Sequence, residues 1–165
     1  MQCTLYDKRI IGADSLTSIY TWIDGAYAIH PNMRSHTGGC MSLGLGTLHA
    51  RSSKQNLNTK SSTEAEVVGM SEYTPYNIWL VMFLQAQGYT IASNLVYQDN
   101  QSAIRMERNG RNSCTGNSRH IHICYFFVKD HVDKKEMTIG YCPTECMLAD
   151  FFYQTITGRI VQEVS

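Results

Sequence analysis

The first third of the chain alternates apolar and polar residues in short runs separated by glycine, proline and asparagine. Residues 18–29 are rich in Ile, Tyr, Thr and Trp and predict a strand that contains Asp24. Residues 30–39 carry proline and glycine and predict a turn. Alternation over 40–50 predicts a second strand, and a more polar third strand is predicted near 49–58.

The pattern then changes to that of a helix. Ser61 followed by Glu64 fits a capping box, in which the serine accepts from a backbone amide and the glutamate reaches back. Apolar residues continue to Gly88, and we expect Pro75 to break or kink this helix. Because capping uses Glu64, Glu66 is left to face the sheet from another side of the helix.

Shorter elements follow in the second half of the chain. The pattern predicts a strand over 94–98 that ends at Asp99, a helix that ends at Gly110, a helix over 120–132, a strand over 135–142 and a last helix that begins at Thr144. This order predicts an α/β domain with a mixed five-stranded sheet and helices on both faces. We expect the domain to span 18–158, with a tail from an upstream polymerase-connection region over 1–17 and a C-terminal tail over 159–165.

The composition indicates the general class of protein but not its function. A chain of 165 residues with 43% hydrophobic content can bury the core of one domain, and its 14 basic and 14 acidic residues balance. Six cysteines lack the spacing of a disulfide framework and no signal peptide precedes them, so we expect reduced thiols in an intracellular protein, cytoplasmic or nuclear. No apolar run reaches the roughly 18 residues of a membrane span. Trp22 and Trp79 are expected in the core.

Four acidic residues lie at the ends of predicted strands and helices: Asp24, Glu66, Asp99 and Asp150. Sheets of this class place their sites at the carboxyl ends of strands, where oxygen ligands suit a hard cation such as Mg²⁺. Two such ions about 4 Å apart can activate a water and stabilise a leaving oxygen. The alternative is that each Asp is a turn or cap residue, with Asp99 and Asn100 capping the next helix.

Five short segments, in this order and spacing, resemble the ribonuclease H domain of copia-type LTR retrotransposon Pol polyproteins over about residues 12–158. They are Ser52-Ser53-Lys54-Gln55, Ser62-Thr63-Glu64-Ala65-Glu66, Asp99-Asn100-Gln101-Ser102-Ala103-Ile104, Arg119-His120-Ile121 and Leu148-Ala149-Asp150-Phe151. The resemblance implies a ribonuclease H-like fold and endonucleolytic cutting of RNA within RNA–DNA hybrids. It also implies a reverse transcriptase domain as partner in the parent polyprotein.

The resemblance also implies roles for individual residues. Asp24, Glu66, Asp99 and Asp150 match the family's catalytic acids, which would bind two Mg²⁺ ions, with Mn²⁺ as a substitute, and leave a 5′-phosphate and a 3′-hydroxyl. Contacts to the hybrid are expected from Lys54, Ser62, Asn100, Arg105, Arg119 and His120. The basic members of this set would hold phosphates, while hybrid shape and the 2′-hydroxyl would be read in the minor groove.

Departures from the family pattern favour an alternative reading. Tyr153-Gln154-Thr155 stands where the family usually has Thr-Lys-Pro, and the loop from Pro143 to Cys146 contains no histidine that could transfer a proton. With no polymerase domain preceding it, the chain could be a catalytically inactive retroelement remnant that at most binds nucleic acid.

Two further readings explain less of the sequence. An integrase core would use Glu136, which lies 37 residues after Asp99 but at a predicted strand start, and would leave Glu66 and Asp150 without a role. A zinc site at His120, His122 and Cys124 lacks a second ligand pair at zinc-finger spacing.

Overall fold

A mixed five-stranded sheet forms the centre of the computed structural model, which describes residues 16–44, 46–109 and 119–150. The strands are β1 (Ser18–Ala26), β2 (His36–Ser42), β3 (Thr47–Lys54), β4 (Ser93–Gln98) and β5 (Thr138–Tyr141). They lie in the order β3-β2-β1-β4-β5. Strands β1 to β3 pair antiparallel, whereas β4 is parallel to β1 and β5 is parallel to β4. The predicted five-stranded mixed sheet is therefore confirmed.

Three helices pack together with one face of this sheet. They are α1 (Ser62–Ala86), α2 (Gln101–Asn109) and α3 (Arg119–Asp133). Ile19 and Ile23 of β1 share one buried apolar cluster with Met70 of α1, Ile104 of α2 and Val128 of α3. Burial of apolar surface in this cluster is the main stabilising contribution to the domain.

A second, smaller apolar cluster covers part of the opposite face. Trp22 stacks on Tyr97 with ring centroids 5.5 Å apart, and both pack against Cys142, Met147 and Ala149. The last two residues flank or lie within two 3₁₀ turns, Thr144–Cys146 and Leu148–Asp150, which stand where the last helix was predicted to begin. Residues 151–158, the rest of that predicted helix, lie outside the described residues.

Two predictions about local structure were wrong. Helix α1 runs through Pro75, so the predicted break is wrong, whereas a kink stays untested; Pro75 is exposed, and Tyr73 and Leu80 of the same helix stay buried. Strand β2 begins at His36, inside the segment predicted to be a turn. The glycines there permit close packing: a Cβ atom on Gly39 would lie 2.3 Å from the ring of Tyr73.

The predicted domain limits fall mostly on residues that the structure does not describe, including the tail over 159–165 and residues 1–15 of the tail over 1–17. Leu16, which belongs to that N-terminal tail, packs against the main apolar cluster. Within the described part of the chain, no helix is both long and apolar enough to cross a membrane.

Candidate metal centre and nucleic-acid interface

Three carboxylates from three different elements meet at one end of the sheet. Asp24, Glu66 and Asp99 each place a carboxyl oxygen within 4.8 Å of the others. The parallel pairing of β1 with β4 explains two of these positions. Trp22 is paired with Tyr97, and Asp24 and Asp99 each follow two positions later in the chain. The structure thus brings together three of the four acids predicted from the sequence.

Glu66 is brought to this group by the way α1 begins. The hydroxyl of Ser61 accepts from the Glu64 N–H at 3.2 Å, and the Glu64 carboxylate accepts from the Lys60 N–H at 2.7 Å. Glu64 is thus a capping residue, as predicted, and Glu66 points to the acids of the sheet. The Gln55 side chain fixes the same turn, since its amide N–H donates to the Ala65 carbonyl at 2.8 Å.

Gly25 allows α1 to approach β1 closely enough for this contact. A Cβ atom at Gly25 would lie 2.7 Å from the Ala65 carbonyl oxygen and 2.9 Å from the Glu66 nitrogen, closer than real Cβ contacts. The Gly25 N–H in turn donates to the Glu66 carboxyl group. The absence of a side chain at Gly25 therefore positions Glu66 beside Asp24.

The electrostatics of the group are those of crowded acids. Burial raises the pKa of Glu66 well above its usual range, and repulsion from Asp24 and Asp99 raises it further. The Glu66 carboxylic acid donates a hydrogen bond to the Asp24 carboxylate, and the Gln98 amide N–H donates to Glu66 at 3.3 Å. Without a cation, the acids are thus held together at an electrostatic cost.

Asp99 and Asn100 have separate roles at the end of β4. The Thr144 hydroxyl donates to the Asp99 carboxylate at 2.8 Å. The Asn100 side-chain oxygen accepts from the N–H groups of Ser102 and Ala103 at 3.0 and 3.1 Å. Asn100 therefore caps α2, which leaves Asp99 to face the other acids.

The fourth predicted acid, Asp150, ends the 3₁₀ turn Leu148–Asp150. This turn contacts β1 and β2, and the preceding Ala149 is fully buried beside Trp22, on the same face of β1 as Asp24. The Asp150 side chain lies outside the described residues, so its part in the group remains a prediction.

The residues predicted to contact a hybrid have different surroundings. Lys54 at the end of β3, Ser62 at the start of α1 and Arg105 on α2 are exposed. Lys54 lies two strands away from Asp24 across the sheet and two residues further along β3. Standard strand spacings put the two Cα atoms roughly 12 Å apart. Asn100 is a helix cap, and the side chains of Arg119 and His120 lie outside the described residues.

The structure contradicts the integrase reading, whereas the zinc reading falls partly outside the described residues because it uses the side chain of His120. Glu136 precedes β5 and its backbone carbonyl accepts from Asn94 at the start of β4, whereas Asp99 follows the other end of β4. An integrase-like pair of Asp99 and Glu136 is therefore separated by the length of a strand. Among the residues that the structure describes, the only group of side chains suited to a metal ion is Asp24, Glu66 and Asp99.

Three side chains that support the site were not predicted from the sequence: Gln55, Gln98 and Thr144. Gln98 had a usable signal, since it lies two residues after the buried Val96 and so faces the same buried side of the sheet. The sequence offers no signal that Thr144 contacts Asp99.

The donor set fits a hard divalent cation. It consists of carboxylate oxygens, two of its three residues are buried, and their mutual repulsion raises the pKa of Glu66. A Mg²⁺ or Mn²⁺ ion takes oxygen ligands and would offset this repulsion.

Comparison with solved structures identifies the fold. The structure superposes on RNase H1 from Halobacterium salinarum with a TM-score of 0.55 and 12% identity, covering 86% of this chain and 98% of that one. It matches LC11-RNase H1 in complex with an RNA/DNA hybrid at a TM-score of 0.56 and 18% identity, covering 82% and 93%. A foamy viral protease-reverse transcriptase in complex with an RNA/DNA hybrid matches at 0.58 and 16% identity, covering 95% of this chain and 22% of that protein.

Comparison of sequences gives the relationship. The chain is 31% identical over 145 residues to the Retrovirus-related Pol polyprotein from transposon TNT 1-94 of Nicotiana tabacum, which covers 88% of this chain. The chain has the ribonuclease H fold and is related to a retrotransposon Pol polyprotein. No family model matches it. Both the predicted fold and the predicted relationship are confirmed.

This ribonuclease H-like domain corresponds to only part of its relative, since it spans 11% of the length of the tobacco polyprotein. The identities to the solved structures are low, so those structures establish the fold of the domain and not its chemistry. The activity has to be argued from the carboxylate group.

Proposed function

We propose that this ribonuclease H-like domain hydrolyses the RNA strand of RNA–DNA hybrids, as part of a retrotransposon replication machinery. The observation that carries the proposal is the convergence of Asp24, Glu66 and Asp99 on this fold. Two of the solved structures that share the fold were determined in complex with an RNA/DNA hybrid, which supports the same substrate here.

Asp24, Glu66 and Asp99, joined by Asp150, would hold two divalent ions, with Mg²⁺ the expected metal and Mn²⁺ a substitute. When bound, the metal supplies an activated water and neutralises charge on the phosphate and the leaving oxygen. The buried setting of Asp24 and Glu66 strengthens these electrostatic effects, because fewer waters screen them.

The chain's own residues hold this arrangement ready. Gly25 donates to Glu66 from β1, Gln98 donates to it from β4, and the Thr144 hydroxyl donates to Asp99. Such hydrogen bonds fix the direction in which each carboxylate presents its oxygens. Glu66 would bind a cation in its deprotonated form, as a carboxylate.

Binding of the hybrid would use the exposed basic residues around the acids. Lys54 and Arg105, together with Arg119 and His120, would contact phosphates, and Ser62 lies at the start of the helix that carries Glu66. Such contacts give binding that depends on salt and tolerates sequence. Asn100 could add a contact only through its amide nitrogen, because its oxygen is used in capping.

The setting of the domain follows from its relative. In the parent polyprotein we expect a reverse transcriptase domain as the functional partner, and an intracellular location, cytoplasmic or nuclear. Burial raises the pKa of the Cys40 thiol to about 12, which is consistent with an inert, reduced cysteine of the core.

A catalytically inactive remnant remains the second candidate. It is favoured by Tyr153-Gln154-Thr155, where the family pattern has Thr-Lys-Pro. In this reading the fold and the acids persist and the protein at most binds nucleic acid.

Substrate choice separates the candidates. Purified protein is incubated with Mg²⁺ and a hybrid that carries a label on either strand, beside an RNA duplex and a DNA duplex of the same sequence. Cutting confined to the RNA strand of the hybrid supports the proposal. Equal cutting of all duplexes would contradict it, and a folded protein that cuts none with Mg²⁺ or Mn²⁺ would support the inactive remnant.

A further inference from the structure

Glu107 is an acid on the buried face of α2 that the proposed chemistry does not use. It is fully buried, together with Ala103 and Ile104 of the same helix. In the described part of the structure, neither of its carboxyl oxygens has a hydrogen bond of ordinary geometry. A carboxylate in such a place is strongly disfavoured unless it is paired, so the residue needs an explanation.

Gln98 lies between Glu107 and the carboxylate group. Its amide N–H donates to Glu66 at 3.3 Å, whereas its carbonyl oxygen is buried and lacks a hydrogen-bond partner among the described residues. That same amide has the largest effect of any side chain on Glu107, whose pKa it lowers. A buried acceptor and a buried acid, neither of them hydrogen-bonded among the described residues, therefore belong to two interacting side chains.

We propose that Glu107 and Gln98 form a buried hydrogen-bonded chain that positions Glu66 for metal binding. In this chain the neutral Glu107 acid donates its O–H to the Gln98 carbonyl oxygen. That contact fixes the amide in the orientation in which its N–H group faces Glu66. Glu107 and Gln98 are then positioning residues, and neither touches the metal or the substrate.

The protonation of Glu107 agrees with this geometry. Burial raises its pKa well above the usual range, while the Gln98 amide and the Arg108 guanidinium oppose that effect less strongly. A charged Glu107 would instead attract the N–H group of Gln98 and turn it away from Glu66. The neutral acid satisfies both buried groups at once.

The inference rests on the proposed metal site, and it is tested by metal binding without any cleavage. Mn²⁺ is titrated into the protein and the unbound ion is measured by electron paramagnetic resonance, while thermal unfolding reports that each variant folds. Glu107→Met removes the donor that orients Gln98, and the resulting loss of the Gln98 hydrogen bond to Glu66 should weaken Mn²⁺ binding by about tenfold or more. Glu107→Gln retains a donor and should bind within about threefold of the wild type.

Two further variants complete the design. Gln98→Met interrupts the chain at its middle and should weaken binding as Glu107→Met does, with little added effect when the two are combined. Ile104→Val trims a buried neighbour on the same helix and should leave binding unchanged. If Glu107→Met does not fold, Gln98→Met and Glu107→Gln decide the question.

The outcomes separate the two proposals. Wild-type Mn²⁺ affinity in Glu107→Met or Gln98→Met would overturn this inference alone. Equal weakening in Glu107→Gln and Glu107→Met would contradict the donor role of Glu107. A wild-type protein that binds no Mn²⁺ would overturn the metal site and this inference together.

Discussion

 

The Glu66 carboxylic acid donates a hydrogen bond to the Asp24 carboxylate, although the two residues lie 42 positions apart in the sequence, one on helix α1 and the other on strand β1. Tertiary packing alone therefore makes this contact. Gly25 permits it, because no Cβ atom separates β1 from the first turns of α1. The two buried acids share a proton in this contact. A divalent cation would bind the same carboxyl oxygens in place of that proton.

Removal of one of these acids should stabilise the protein when no metal is present. In EDTA, Asp24→Asn relieves the repulsion on Glu66, and we expect the free energy of unfolding to rise by ~1–2 kcal/mol and the Tm by about 3–8 °C. Thermal unfolding with and without Mg²⁺ measures this. Mg²⁺ should stabilise the wild type and not the variant. A lower Tm for Asp24→Asn in EDTA, with stabilisation by Mg²⁺ retained, would contradict the account.

The raised pKa of Glu66 predicts a pH dependence of defined sign. Burial and the neighbouring acids keep the proton on folded Glu66 at pH values where the unfolded chain, with its ordinary value of 4.5, has released it. The folded state thus binds more protons in this window, and stability in EDTA should fall as pH rises through it. Mg²⁺ affinity should rise over the same window, because the ion competes with the proton.

Glu66→Gln is the control for this pH dependence. Its unfolding temperature in EDTA should fall less than that of the wild type as the pH is raised from 4.5. Parallel curves for the two proteins would assign the pH dependence to other groups.

A methyl group at Gly25 should disturb both the fold and the metal site. Gly25→Ala places a Cβ atom against backbone atoms of Ala65 and Glu66, which cannot rotate away, and we expect a loss of ~1–3 kcal/mol in stability. Mn²⁺ binding should weaken as well. Gly140→Ala is the matched control, because its Cβ atom would meet only side-chain atoms at 3.4 Å. Equal effects of the two substitutions on Mn²⁺ binding would count against the role given to Gly25.

Capping and nucleic-acid contact can be separated at Asn100. Asn100→Ala removes the acceptor for two backbone amides of α2 and should lower stability by ~1 kcal/mol. Asn100→Ser keeps a capping oxygen and should restore most of that stability. If Asn100 also contacts the hybrid, both variants bind hybrid less well in a filter-binding assay. Full binding by Asn100→Ser would leave Asn100 with the capping role alone.

The positions of Asp24 and Asp99 could be predicted from the sequence because simple rules govern them. Each lies near the end of an apolar strand, and parallel strands bring such ends together. The choice of Glu66 over Glu64 also followed from local rules, since Ser61 and Glu64 form the cap of α1.

Other features depend on packing that a single sequence does not reveal. Trp79 was expected in the core and is 64% exposed. The prediction failed because apolar residues lie on all sides of α1, so their pattern does not indicate which side meets the sheet. The glycines of β2 suggested a turn. In the structure Gly39 lies in the strand, where the absence of a side chain leaves room for the Tyr73 ring. The relation between Gln98 and Glu107 depends on how α2 is placed on β4, which no local pattern gives.

Cleavage of a labelled RNA–DNA hybrid by the purified protein, and by Asp99→Asn and Glu66→Gln, decides whether the carboxylate group is a catalytic metal site. The account predicts cutting of the RNA strand with Mg²⁺, none in EDTA, and a loss of at least ~100-fold in rate for each variant, as expected when a metal ligand that supplies several kcal/mol is removed. Folded variants that cut the hybrid at the wild-type rate would contradict the assignment of the metal site.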